Sequence, residues 1–160
     1  MLTVLNQVEE AVSRFKMLKA FINNKQQFFD WWAPNYDFLF VSVFYQAIHK
    51  RLLEYVELAA QPNVLDLGCG TGRLLNRLAT QFLDLKGTGL DLSTEMLRQA
   101  RHHNHHHPRL IYVQGNAETM PFDNEQFNAV FNTLSFLHYS QPEQLFLEVS
   151  RCYVPVETST

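Results

Sequence analysis

Apolar residues at Leu5, Val8, Val12, Phe15, Leu18 and Ile22, with polar positions between them, recur at the spacing of one helix face. Asn23-Asn24-Lys25 breaks that pattern. An aromatic-dense run follows, Phe28-Phe29-Asp30-Trp31-Trp32-Ala33-Pro34-Asn35-Tyr36-Asp37, whose Pro stops any helix. It reads either as a plug in the core or as a lid that keeps water from a ligand. Residues 38–60 predict a helix with Phe44, Ile48, Leu52 and Tyr55 on one face, ended by Gln61-Pro62-Asn63. Beyond that point short apolar runs alternate with amphipathic stretches. Strands are predicted over 64–67, 86–92, 110–114 and 127–131. A helix over 73–80 turns Leu74, Leu75 and Leu78 inward, a second runs from an N-cap at Ser93 to about Arg101, and a third spans 142–153, with Pro142 and Glu143 in its first turn. Strands alternating with helices imply crossover connections and a parallel sheet. Ligands of such sheets bind beyond the carboxyl ends of the strands. The places to inspect are therefore residues 66–72, Asp91, residues 116–118, and Asn132 onward.

The chain of 160 residues is one domain's worth, and with 46% apolar residues it can bury a core. A formal net charge of -3 argues against a nucleic-acid partner, which needs clustered Lys and Arg. Two cysteines, Cys69 and Cys152, suggest neither a disulfide framework nor a zinc site, so a cytoplasmic, reducing location is expected. Glu9 and Glu10 stand where a secretory leader would be basic and then apolar. The longest apolar run, over 38–45, is far too short to span a bilayer.

The chemistry concentrates in Val64-Leu65-Asp66-Leu67-Gly68-Cys69-Gly70-Thr71-Gly72-Arg73-Leu74-Leu75. A strand passes through three glycines and leaves as a helix, so backbone can approach a ligand closely and helix-start N–H groups point at it. The dinucleotide fingerprint needs a glycine at position 73, where Arg73 stands, and the P-loop Gly-Lys-Ser/Thr is missing. A nicotinamide-dependent oxidoreductase is therefore disfavoured. Asp91, a little over twenty residues past Gly68, sits where a carboxylate can accept from two ribose hydroxyls. Gly115-Asn116-Ala117-Glu118-Thr119-Met120-Pro121-Phe122 supplies an amide and backbone N–H groups suited to an adenine edge.

These runs, with 89–97 and Phe127-Asn128-Ala129-Val130-Phe131-Asn132, resemble the successive motifs of class I S-adenosylmethionine (SAM)-dependent methyltransferases, closest to the ubiquinone/menaquinone C-methyltransferase group. The likeness covers roughly residues 30–151, because Ala33-Pro34-Asn35-Tyr36-Asp37 is similar to that group's entry segment. It implies an α/β fold with a Rossmann-like parallel sheet, SAM as cofactor and a small-molecule methyl acceptor. It also implies roles by position. Asp66, Gly68 and Gly70 would line the methionine part, with Asp66 near its amino group, and Cys69 and Gly72 would belong to the same cofactor-binding turn. Asp91 would hold the ribose, Leu92 would pack on the adenine, and Asn116, Ala117 and Glu118 would meet the adenine edge. Asn132 would sit near the transferred methyl and Tyr36 would belong to the lid. Position 116 is often Asp in the family and is Asn here. The Asn-Pro-Pro-aromatic signature of enzymes that methylate DNA bases or protein glutamine is absent after the fourth strand, which favours a small acceptor. Methyl transfer needs alignment and dryness more than covalent help. His138 is the candidate base where an acceptor must lose a proton.

Two features stand outside the pattern. His102-His103-Asn104-His105-His106-His107 would bind nickel or zinc opportunistically, but the reading is a solvated loop and no functional metal. After the last helix the chain reads Val154-Pro155-Val156-Glu157-Thr158-Ser159-Thr160, where the resemblance implies a Lys-Pro-Gly-Gly-like turn and three more strands. The expected organisation is a helical lid segment over 1–60, an incomplete SAM-binding core over 61–154 and a tail over 155–160. The fourth strand would then be an open edge that invites a dimer. The alternative to an enzyme is a truncated SAM-binding protein or partner subunit without turnover.

Overall fold

The structure, a computed structural model, describes residues 40–133 and 135–154. The first predicted helix, the aromatic segment and Tyr36 lie outside the described residues. Helix α1 (Phe40–Tyr55) leads into β1 (Asn63–Leu67), α2 (Arg73–Gln81), β2 (Lys86–Asp91), α3 (Thr94–His102), β3 (Leu110–Gln114), β4 (Ala129–Phe131) and α4 (Pro142–Cys152). The four strands form one parallel sheet in the order β3-β2-β1-β4. This is the Rossmann-like α/β architecture that the alternation of strands and helices predicts.

Strand alternation sorts β1 between the two faces of the sheet. Val64 joins Leu74, Leu75, Leu78, Leu97, Ala100 and Tyr112, so α2 and α3 cover that face, and Leu52, Leu53 and Val56 pack beside them. Leu65 and Leu67 face the other way, with Leu90, Met120, Phe127 and Leu145, under α4. The α2 leucines are at most 1% exposed, each contributing roughly 1.5–3 kcal/mol over an exposed position. Arg109 closes the far end of α2 by donating to the carbonyls of Ala79, Phe82 and Leu85 at 3.0–3.3 Å. Ser93 caps α3 as predicted, its Oγ accepting from the Met96 N–H at 3.1 Å.

Three expectations need correction. Helix α1 ends at Tyr55, not near residue 60, and Tyr55 is 67% exposed under the Arg51 guanidinium instead of lying on the buried face. Strand β4 is only three residues long. Phe127 turns its backbone outward, its N–H donating to Cys152 O and its carbonyl accepting from Val154 N at 2.9 and 2.7 Å. The Phe127–Tyr153 bridge is parallel, so the outer edge beside β4 is already lined at its start by the chain leaving α4.

Candidate functional site

The Gly turn closes over the carboxyl end of β1. Gly68, Gly70 and Gly72 take φ values of 67°, 52° and 75°, a conformation that costs any other L-residue strain. The N–H groups of Gly68 and Cys69 both donate to Leu90 O, at 2.8 and 3.1 Å, which ties the turn to β2. The three glycines are not equivalent. A Cβ on Gly68 would lie 2.5 Å from Ser135 Oγ, and one on Gly72 would lie 2.5–2.8 Å from the Tyr112 ring. A Cβ on Gly70 would meet nothing within 4 Å. Packing demands two of these glycines, and open space lies over the third.

Asp91 stands at the end of β2, beside that opening. Its Oδ2 accepts from the Gly70 N–H at 2.8 Å and its Oδ1 from the Ser93 N–H at 2.9 Å. Both oxygens of the carboxylate are thus held by backbone N–H groups, which fixes its orientation at the rim of the opening. Leu92, the next residue, is 37% exposed and presents an apolar surface at the same rim.

Asp66 lies one strand over and is 1% exposed. Its Oδ1 has no hydrogen-bond partner. Burial first, and the Asp91 carboxylate second, push its carboxyl up to about 8. Burial likewise pushes the Cys69 thiol well above its ordinary value, which favours the protonated thiol.

The loop after β3 carries Asn116, whose Oδ1 accepts from the Glu118 N–H at 2.9 Å in an Asx turn, and Ala117, which is buried. Glu118 braces this loop through one of its oxygens. Its Oε1 accepts from the Ser140 and Gln141 N–H groups at 2.5 and 2.7 Å. It ties this loop to the start of α4.

After β4 a hydroxyl cluster faces the Gly turn. Ser135 Oγ lies 2.8 Å from Leu67 O, 2.7 Å from Asn132 Oδ1 and 3.0 Å from Tyr139 Oη. The serine has one proton for two acceptors, so the tyrosine hydroxyl is the donor to Ser135. Burial pushes Tyr139 up to about 12 and keeps that proton in place. This cluster fixes Asn132 beside Gly68. Sequence reasoning missed Ser135, Tyr139 and Tyr112, since no local pattern marks a contact across 68 residues. His138 sits half-buried on the short 3₁₀ turn Phe136–His138, its N–H donating to Ser135 O at 2.9 Å. At the far side of the opening His49 Nε2 lies 3.4 Å from Thr133 Oγ1. Burial and the nearby Arg77 and Arg73 lower its pKa to about 4. Among the described residues no group of three or more His, Cys, Asp or Glu side chains converges on a metal position. None of the described helices is long and apolar enough to cross a membrane.

Comparison with known proteins fits this geometry. A family model described as a methyltransferase domain matches residues 64–155. The demethylmenaquinone methyltransferase of Chlorobaculum tepidum is 32% identical over 134 residues, covering 79% of this chain and 54% of that protein. A chain from the complex between the Haloferax volcanii Trm112 methyltransferase activator and a candidate methyltransferase superposes with a TM-score of 0.71. It has 27% identity and covers 81% of this chain and 56% of that one. Haemonchus contortus phosphoethanolamine N-methyltransferase 2, solved with phosphomonomethylethanolamine and S-adenosylhomocysteine, gives a TM-score of 0.62 at 28% identity, over 68% of this chain and 26% of that one. The chain spans about half the length of the curated relatives it matches.

Proposed function

The chain belongs to the methyltransferase-domain family, and from that premise we propose that it binds SAM and passes its methyl group to a small-molecule acceptor. The observation that carries the reading is the open face of Gly70 beside a carboxylate held in place by the turn. The residues fit the cofactor. Asp91 takes the two ribose hydroxyls, while the turn's N–H bonds hold it still. Leu92 covers the adenine, and Asn116 and Ala117 meet its edge. Gly70 lets the methionine part approach the backbone, and Asp66 faces its amino group. Asn132, fixed by Ser135 and Tyr139, stands at the methyl end. Cys69 and Glu118 serve the frame of the site and make no ligand contact in this reading.

SAM supplies an already activated methyl group, so this chain's task is to bind, orient and exclude water. Phe136 and Tyr139 edge the acceptor side with aromatic surface, their ring centroids 6.4 Å apart. An apolar acceptor of the quinone class agrees with that surface and with the name of the Chlorobaculum relative. His138 takes the proton from an acceptor that must lose one.

The test is calorimetric titration of the chain with SAM and S-adenosylhomocysteine, followed by turnover assays with quinone-type acceptors. Saturable micromolar binding is expected, and a folded chain that binds neither refutes the proposal. Binding without turnover on any acceptor favours a cofactor-binding subunit. Light scattering on the same samples tests a dimer. Among the described residues, 151–154 pair with 125–127, just before β4, and a second copy would add along β4 beyond them.

A further inference from the structure

The strand register places Phe131, Asp66, Gly89 and Tyr112 in one row across the four strands. Gly89 offers no side chain, and Cys69 Sγ and the Tyr112 ring fill its place, each 2.7 Å from where a Cβ would be. Asp66 is thus walled in by an aromatic ring on one side and by sulfur and a phenol on the other, with the Gly turn above. Oδ1 faces this enclosure without a hydrogen-bond donor. The Asp91 carboxylate from β2 acts on it, and Asp66 in turn acts on the Cys69 thiol of the turn, the Tyr112 hydroxyl of β3 and the Tyr139 hydroxyl beyond β4, while Arg101 of α3 acts on Cys69. Burial pushes the three weak acids up, and the charge that acts on Asp66 itself is the Asp91 carboxylate, not a cation. A lone ionised carboxylate is not sustained in such a place and keeps its proton. A cation brought alongside reverses the balance, because an opposite charge within a few ångströms favours the ionised form.

We propose that binding of the cofactor's amino-acid end turns Asp66 from a carboxylic acid into a carboxylate and sheds one proton to solvent. This inference rests on the SAM reading above. The carboxyl O–H bond breaks, the proton passes to the buffer, and the ligand's ammonium keeps its three protons and pairs with the carboxylate. No electrons change hands. The site thereby reads the charge of its ligand as well as its shape.

Calorimetry of the full chain at pH 6, in buffers of differing ionisation enthalpy, tests it. An α-amino group has a pKa of about 8, so the ligand is already fully protonated there. The probes are S-adenosylhomocysteine, which carries the ammonium, and methylthioadenosine, which has the same adenosine and lacks it. Release of about one proton per bound S-adenosylhomocysteine is expected, in excess of any release with methylthioadenosine. Between pH 6 and 7 the affinity for S-adenosylhomocysteine should rise about tenfold relative to that for methylthioadenosine. Asp66→Asn should abolish both differences. Binding of S-adenosylhomocysteine with no excess proton release overturns the proposal and leaves the SAM reading standing. Failure of a folded chain to bind either probe at any pH overturns both.

Discussion

Gly70→Ala and Gly72→Ala should separate the two demands on the Gly turn. Both positions have positive φ, at 52° and 75°, so either alanine carries backbone strain of about 1–2 kcal/mol. At Gly70 that strain is the whole cost, because the new Cβ meets nothing within 4 Å. At Gly72 the Cβ would lie 2.5 Å from Tyr112 Oη and 2.8 Å from two ring carbons. The ring has little room to give. It is 7% exposed, its hydroxyl lies 3.3 Å from Asn76 Nδ2, and the same edge continues against Gly89 through Cδ1. Overpacking of this kind adds about 1–3 kcal/mol, giving roughly 2–5 kcal/mol in total for Gly72→Ala. Urea unfolding measures both costs, and calorimetry with S-adenosylhomocysteine measures what remains of the site. Gly70→Ala should stay folded and lose binding out of proportion to its stability loss. Equal stability costs would show that the space over Gly70 is not open. Undiminished binding by Gly70→Ala would show that the cofactor does not use it.

Three other substitutions follow from the same geometry. Asp91→Ala removes the acceptor of the Gly70 and Ser93 N–H groups and of the proposed ribose hydroxyls, and should weaken cofactor binding by roughly 1.5–3 kcal/mol in the same titration. Unchanged affinity would remove Asp91 from that role. Ser93→Ala deletes the cap on Met96 N and should cost about 1 kcal/mol in urea unfolding, with no change in the slope against urea. Asp66→Asn should change how the stability of the ligand-free chain depends on pH. The folded-state pKa is raised to about 8, so the parent keeps its full stability below the unfolded value near 4 and loses it as pH climbs towards 8. The variant should match the parent near pH 4 and exceed it at pH 8 by several kcal/mol, with about 6 kcal/mol as the ceiling. Parallel stability curves for the two chains would refute the buried, protonated Asp66.

The sheet was legible because each strand is a short apolar run bounded by turn chemistry, and β3 matches its predicted span of 110–114 to the residue. The Ser93 cap and the inward leucines of α2 were legible for the same reason: both are decided within one or two turns of chain. The reading went astray where distant contacts decide. Helical periodicity continues past Tyr55, yet the helix ends there and that ring lies exposed. Phe127 has the composition of a central strand residue, but its backbone turns to residues 152–154, which only the fold brings alongside. The bonds from the Ser140 and Gln141 amides to Glu118, across 22 and 23 residues, have no local signal either. Which glycine faces open space depends on Ser135 and Tyr112, and nothing within the turn itself distinguishes the three.

The way the loop after β3 is held has a bearing on how this domain can be cut. Glu118 reaches the amides before α4, Glu148 Oε2 accepts from the Met120 N–H at 2.7 Å, and Arg151 donates to the carbonyls of Met120 and Phe122. The segment that would read an adenine is therefore bolted to the last described helix more than to the strand it follows. A helix that supplies no ligand contact in the proposed site is still part of its foundation. Any excised module meant to keep nucleoside selectivity must run through the final turn of α4, and grafting the stretch from β1 to β3 alone would carry the glycines and Asp91 while leaving the base end unsupported.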